Sequence, residues 1–215
     1  MASSLYRLCF PAACLLLATA LFGSFAFPAR GADMSGGELL AALRQGGLII
    51  YFRHADTGPA TPEPPSVQIE RCETQRNLND NGRAQAREIG AQFRRLGIPV
   101  GKVLSSRFCR CVDTAQLAFG RHEVAQVLTG VRRGPECADA RRSASEGLRA
   151  LLSTPPPEGE NLVLVSHGFN LRDLEGVYLG TQGEAAVYRA DGRGGYALLA
   201  RILPEAWASL DQTAR

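Results

Sequence analysis

Lysine is all but missing from this chain: Lys102 is the single one, and the other basic residues are arginines. These are spread along the sequence and never gather into a block. A basic stripe of the kind that tracks a phosphodiester backbone is therefore excluded, and no nucleic acid is expected as a partner. The formal net charge of +3 decides little by itself. The six cysteines include no Cys-x-x-Cys pair, since Cys109 and Cys111 stand one residue apart. That spacing argues against a structural zinc site, so no metal is expected. No internal repeat is apparent, which sets aside solenoids and propellers. What remains is a globular chain of 215 residues, long enough for one core of ordinary size.

The N-terminus carries its own signal. Arg7 precedes an uncharged apolar segment over residues 8–27, interrupted by Pro11 and Gly23, and Ser24-Phe25-Ala26 supplies small residues for a peptidase. This reads as a signal peptide over residues 1–32, cleaved near 26–32, leaving one domain over 33–215. A periplasmic or secreted location follows, with no stable membrane anchor once the segment is removed. An uncleaved segment would be just long enough to span a bilayer. Cleavage removes Cys9 and Cys14 and leaves Cys72, Cys109, Cys111 and Cys137, an even number that suggests two disulfides in an oxidising compartment. A bridge from Cys72 to Cys109 or Cys111 would close a loop of roughly forty residues and contribute about 4 kcal/mol in the chain-entropy model.

Strands and helices alternate along the rest. Residues 38–44 suit a short helix capped by Ser35, and Gly46-Gly47 stops it before the apolar run 48–52. Five large apolar residues in succession fit a strand buried on both faces, as in a parallel α/β sheet. Prolines at 59, 62, 64 and 65 make the following stretch a loop, overhanging whatever binds at the strand's end. Asn79 is placed to cap a helix with Ala84, Ile89, Phe93 and Leu96 on its apolar side and Gly97 at its end. Further strands are expected over 100–104, 124–128 and 162–165, and helices over 105–119, 145–152 and 169–174. Residues 130–145 read as irregular at first, and 185–189 with 196–202 as a terminal hairpin. The fold class is α/β, a three-layer sandwich with a mostly parallel central sheet flanked by helices.

Of three histidines, His54 and His167 each stand directly after an apolar strand, where open α/β sheets bind their ligands. His122, between Arg121 and Glu123, looks solvated. Arginines accompany the pair: Arg53 adjoins His54, Arg110 lies in the helix after Ser105-Ser106, and Arg172 follows His167 by five. Guanidinium forks match phosphate oxygens, and cations around an imidazole favour its neutral, nucleophilic form. The pattern suits phosphoryl transfer through a phosphohistidine.

These residues resemble the histidine phosphatase superfamily, the group that includes phosphoglycerate mutase-like enzymes and acid phosphatases. Its Arg-His-Gly motif stands here as Arg53-His54-Ala55, with a departure at the third position. Leu78, Gly82, Gln85 and Ala86 match the helix that follows, and Ser105, Ser106, Arg110, Thr114 and Ala115 match its second-arginine pattern. Val165-Ser166-His167-Gly168 matches the second histidine. The resemblance implies a phosphoglycerate mutase-like fold, His54 as nucleophile, and Arg53, Arg110 and His167 as catalytic partners, without a cofactor. Gln75, Arg76 and Arg172 are candidate substrate ligands. The branch with aspartate after the second histidine is excluded by Gly168. Glu184 is the favoured proton donor, with Glu136 as the other candidate. The expected activity is that of an exported phosphatase acting on a small phosphorylated metabolite or an envelope sugar phosphate. The alternatives are a non-catalytic phosphate-binding member of the same fold and a phosphohistidine-protein phosphatase.

Overall fold

The computed structural model describes residues 34, 36–59, 63, 66–130 and 137–212. The signal segment, the Ser35 cap, the prolines at 62, 64 and 65, and Glu136 lie outside the described residues. Helix α1 (Gly36–Gln45) leads into β1 (Ile49–Arg53), followed by the proline-bearing loop, a 3₁₀ turn over Cys72–Thr74 and α2 (Asp80–Leu96). Then come β2 (Val100–Ser105), α3 (Cys109–Phe119), β3 (Glu123–Val124), α4 (Ala138–Ser153), β4 (Asn161–Ser166) and α5 (Gly168–Glu175). The chain finishes with β5 (Ala185–Ala190), β6 (Tyr196–Ile202) and a 3₁₀ segment over Pro204–Ser209.

The six strands form one mixed sheet in the order β3-β2-β4-β1-β5-β6. Its β3-β2, β2-β4 and β4-β1 pairs are parallel, and the terminal strands β5 and β6 add an antiparallel flank. Helices cover both faces, so the expected α/β sandwich is observed. Strand β1 is buried throughout because its side chains alternate between two cores. Ile50 and Phe52 join the core under α1, α2 and α3, whereas Ile49 and Tyr51 join the one under α4 and α5. Asn79 accepts a hydrogen bond from the Gly82 N–H at 2.7 Å and so caps α2 as its sequence requires.

Two elements differ from the sequence reading. The strand expected over 124–128 lasts two residues as β3, after which Gln126–Leu128 turns as a 3₁₀ helix. The turn drives Leu128 into the core, where its carbonyl accepts from the Ser166 hydroxyl at 2.6 Å and the Asn170 amide at 3.0 Å. Helix α4 begins at Ala138, seven residues before the expected start. Leu148, Leu151 and Leu152, all in its second half, anchor it, so the arginine-rich first half carries no apolar period to read.

The core beneath β1 is organised by rings. Phe93 lies 5.9 Å from Phe52, 5.3 Å from Phe119 and 4.7 Å from Trp207, centroid to centroid. With Phe52, which meets the same rings, it ties α2, α3 and the C-terminal 3₁₀ segment to the sheet. Phe93→Ala is therefore expected to cost about 3–5 kcal/mol of unfolding free energy. Urea denaturation followed by tryptophan fluorescence of Trp207 measures it.

Candidate active site

Strands β1 and β4 are paired in parallel with Arg53 opposite Ser166, so the next residue of each, His54 and His167, emerges at the same edge. The His54 N–H donates to the Ser166 carbonyl at 2.9 Å and continues the ladder by one bond. The two imidazoles then stand 5.7 Å apart, nearly edge to face. Both are buried, and with Arg53, Arg76, Arg110, Gly168, Phe169 and Tyr178 they line a pocket of about 270 Å³. Larger hollows elsewhere, such as one beside Pro155, Pro156 and Pro157, carry no comparable set of chemical groups.

The hydrogen bonds define which nitrogen of each ring is available. Nδ1 of His54 lies 2.8 Å from the Ala55 carbonyl, which can only accept, so Nδ1 carries the proton and the lone pair stays on Nε2. The Arg110 Nη2 group donates to His167 Nδ1 at 3.3 Å, which leaves His167 Nε2–H to donate to the Ser106 hydroxyl at 3.0 Å. Phe169 stacks on the His167 ring at 5.3 Å and Phe108 meets it edge-on at 5.1 Å. The ring cannot rotate without disturbing both. Burial holds His54 well below the ordinary histidine value, and Arg110, Arg53 and Arg76 push it further in the same direction. Burial acts first on His167 too, ahead of Arg110 and His54. The arginines that motivated a neutral imidazole are thus secondary to the loss of water.

Each arginine is fixed by a separate device. Arg53 donates through Nη1 to the Leu179 carbonyl at 3.1 Å and to that of Gly180. Arg110 donates to the Glu63 carboxylate at 2.6 Å and weakly to the Arg76 carbonyl at 3.4 Å. The motif threonine explains itself here: the Thr114 hydroxyl donates to the Arg110 carbonyl at 2.6 Å and accepts from the Ala55 N–H at 3.0 Å. Ala55, where the resembled motif has glycine, packs with Leu78 and Ala86 and fits without exposure. The Nε–H groups of Arg53 and Arg110 are buried and donate to no protein partner among the described residues. Two such donors, on arginines that line the pocket, are what an oxyanion with several lone pairs would satisfy.

The remaining expected residues distribute unevenly. Arg76 lines the pocket. Gln75 does not: its amide is held by the backbone, accepting from Cys109 N–H at 2.9 Å and donating to the Ile69 carbonyl at 3.0 Å. It braces the loop instead of a substrate. Arg172 stands behind the rim, its guanidinium 5.3 Å from the Tyr178 ring centre and 3.6 Å from Asp173. Glu184 is buried but outside the pocket lining. One carboxylate oxygen is gripped by the Arg201 guanidinium and the other accepts from the Thr181 N–H at 3.1 Å. Its backbone carbonyl, which accepts from the Arg53 N–H at 2.9 Å, is what holds it near the strand end. His122 packs against Gln116 at the end of α3, far from this edge in the sheet order.

Glu63, Phe108, Phe169 and Tyr178 were not singled out by the sequence reading. Glu63 had a signal, its place in the loop after His54; the aromatic residues had none beyond adjacency to a motif. Of the four cysteines, Cys72 and Cys109 form a disulfide that ties the Gln75-Arg76 segment to the start of α3. The expected second bridge is not formed. Cys111 points into the core on the α3 face, with its sulfur 3.8 Å from His167 Nε2, while Cys137 opens α4 on the opposite face of the sheet. Burial pushes the Cys111 thiol up to about 12.

Comparison with known proteins agrees with this geometry. Residues 49–130 match the family model of the histidine phosphatase superfamily, branch 1. The resemblance read from the motifs is borne out. No curated protein matches the chain. Among solved structures, a candidate α-ribazole-5'-P phosphatase from Escherichia coli superposes with a TM-score of 0.53 at 17% identity, covering 73% of this chain and 97% of its own. A phosphoserine phosphatase from Entamoeba histolytica, complexed with 3-phosphoglyceric acid, gives 0.51 at 15% identity over 73% of this chain and 96% of that one. A mycobacterial glucosyl-3-phosphoglycerate phosphatase gives 0.50 at 16% identity, over 71% and 98%. The shared property at such identities is the phosphoglycerate mutase-like fold.

Two outcomes follow from the packing and the charge. A Cβ at Gly168 would stand 2.4 Å from the Leu179 carbonyl and 3.3 Å from Arg53 Cδ. Gly168→Ala is expected to dislodge the Arg53 clamp and weaken orthovanadate or tungstate binding at least tenfold by calorimetry, with the fold retained by circular dichroism. The second concerns pH. The unfolded chain protonates His54 and His167 near 6.5, while the folded chain keeps them neutral to well below that value. The stability is complete above the unfolded value and is lost as pH falls toward the folded ones, by up to about 1.4 kcal/mol per pH unit for each ring. The double variant His54→Asn/His167→Asn is expected to show a shallower decline in thermal midpoint between pH 7 and pH 5 than the parent protein.

Proposed function

We propose that this chain is an exported phosphatase that hydrolyses phosphomonoesters through a phosphohistidine formed on His54. The observation that carries the reading is the His54 tautomer. Its Nδ1–H is held by the Ala55 carbonyl, which leaves a neutral Nε2 lone pair in a pocket lined by Arg53, Arg76 and Arg110. A phosphate dianion drawn into that pocket meets a nucleophile with an open lone pair and guanidinium groups that spread its developing charge. His167, rigid between Phe108 and Phe169, supplies a neighbouring ring that steadies the transferring group. The reaction order is attack by Nε2 on phosphorus, departure of the alcohol, and hydrolysis of the phosphohistidine by water.

Export rests on the N-terminal pattern of Arg7, the apolar segment 8–27 and the small residues at 24–26. A disulfide between Cys72 and Cys109 is in keeping with an oxidising compartment. The substrate class is read from a pocket lined by arginines and histidines, with Tyr178 as a half-exposed ring in its wall. A small phosphorylated metabolite or an envelope sugar phosphate suits that pocket, in keeping with the phosphorylated small molecules named for the structurally similar proteins. The removal of Glu184 from the pocket lends some support to a second reading, a phosphate-binding module without turnover.

Phosphate release from p-nitrophenyl phosphate separates the two. The phosphatase reading expects His54→Ala to lower kcat/KM by at least about 10³-fold, the scale for removing a covalent nucleophile. Protein incubated with labelled ester and quenched in alkali should carry a base-stable, acid-labile phosphoryl group that the variant lacks. Equal and negligible release by both proteins would instead identify a binder.

A further inference from the structure

Glu63 enters the cation cluster from the loop between β1 and α2. Its Oε1 accepts from Arg110 Nη1 at 2.6 Å, and its Oε2 accepts from the Arg76 backbone N–H at 3.2 Å, with Arg76 Nε 3.9 Å from Oε1. The other terminal nitrogen of Arg110, Nη2, is the one turned toward His167. A single guanidinium therefore spans from the imidazole pair to this carboxylate. The Glu63 side chain is 23% exposed, against 3% for Arg110, so it sits on the solvent side of the cluster, where an ester's leaving group must depart. Neither glutamate is among the side chains that line the pocket, and both have their oxygens engaged; the difference is the partner, since Glu63 is held by the pocket residues Arg110 and Arg76, whereas Glu184, the acid expected from the sequence, is held by Arg201 and the Thr181 N–H.

We propose that Glu63 is the catalytic residue that protonates the leaving alcohol and afterwards deprotonates the hydrolytic water; the proposal rests on the phosphatase reading of the same pocket. A phosphate dianion bound to Arg110 places a second anion on the guanidinium that already holds the carboxylate. Two anions on one fork are relieved when the Glu63 carboxylate takes up one proton from solvent as the ester binds, and that is the proton it delivers. In the first step the His54 Nε2 lone pair forms the N–P bond as the P–O ester bond breaks. The departing oxygen takes the Glu63 carboxyl proton and leaves as the alcohol. In the second step a water oxygen bonds to phosphorus and its proton passes to the Glu63 carboxylate. The N–P electron pair returns to Nε2, and inorganic phosphate is released. No metal, oxidant or reductant enters the balance.

Because an acid helps poor leaving groups most, the test is a leaving-group series. Initial rates are compared for p-nitrophenyl phosphate, phenyl phosphate and glycerol 2-phosphate, using the parent protein, Glu63→Gln and Glu63→Asp. The expected result for Glu63→Gln is a loss of 10²- to 10³-fold in kcat/KM on the alkyl ester and less than tenfold on the nitrophenyl ester. Glu63→Asp, which keeps a carboxyl on a shorter arm, is expected to recover part of the alkyl-ester rate. Equal losses across the series, or faster turnover with tighter phosphate binding in Glu63→Gln, would overturn the assignment and make Glu63 a brace or a plug. If the parent protein and His54→Ala both release no phosphate from any ester, the phosphatase reading itself has failed. That result is distinct from a leaving-group series that merely runs parallel.

Discussion

The parallel pairing of β1 with β4 is the constraint from which the rest of the site follows. These strands are far apart in sequence and adjacent in the sheet, and their register sets Arg53 opposite Ser166. A slip of one residue would turn His54 or His167 to the other face. The register is secured by burial on both sides of β1, since Ile50 and Phe52 serve one core and Ile49 and Tyr51 the other. It is also secured at the ends: Asn161 accepts from the Leu48 N–H at 3.1 Å and donates to the Leu43 carbonyl at 2.7 Å. At the opposite end the Tyr51 hydroxyl donates to the His167 carbonyl at 2.8 Å. Polar groups that would be costly if unpaired thus lock one register against its neighbours.

Assembling cations around two neutral rings has an electrostatic cost, and the fold meets it with oriented carbonyls. Leu179 and Gly180 offer theirs to Arg53, Arg76 offers its own to Arg110, and Glu63 brings a full negative charge. Donors fixed before the substrate arrives need little reorganisation as charge builds on the phosphoryl group. The disulfide belongs to the same scheme. Cys72 to Cys109 spans 37 residues, from the turn that presents Arg76 to the helix that presents Arg110. Its chain-entropy contribution of about 4 kcal/mol comes with a second effect, a fixed separation between two pocket arginines. Gln75, read as a ligand, serves beside it by holding the Cys109 N–H.

The fold was legible because its signals are local and redundant. The apolar run at 48–52, the Asn79 cap and Gly97 in the left-handed conformation at φ 66° each name one feature, and the elements fall where they indicate. The imidazole pair was legible for a related reason: a polar residue that ends a buried strand has few places to go. Elements lacking a period were not. The first half of α4 has arginines and small residues with no apolar stripe, and β3 is cut short by the demand of a single side chain, Leu128. Sequence does not separate Glu184 from Glu63, because each is a glutamate in a loop joined to a strand of the sheet. Only the third dimension tells which one faces Arg201 and which one Arg110.

Gly168 shows how closely the chemistry and the packing are tied. An acidic residue directly after the second histidine would be the simplest proton donor, one residue from the pocket. This backbone has no room for it, because the Leu179 carbonyl already lies where a Cβ would go. That carbonyl is also the acceptor for Arg53 Nη1, so moving it to admit a side chain would release a guanidinium that lines the pocket. The same atom that excludes an acid at 168 positions the cation at 53. A carboxylate that reaches the cations of such a site has to arrive on another segment, and Glu63, from the loop after β1, is the one that meets Arg110.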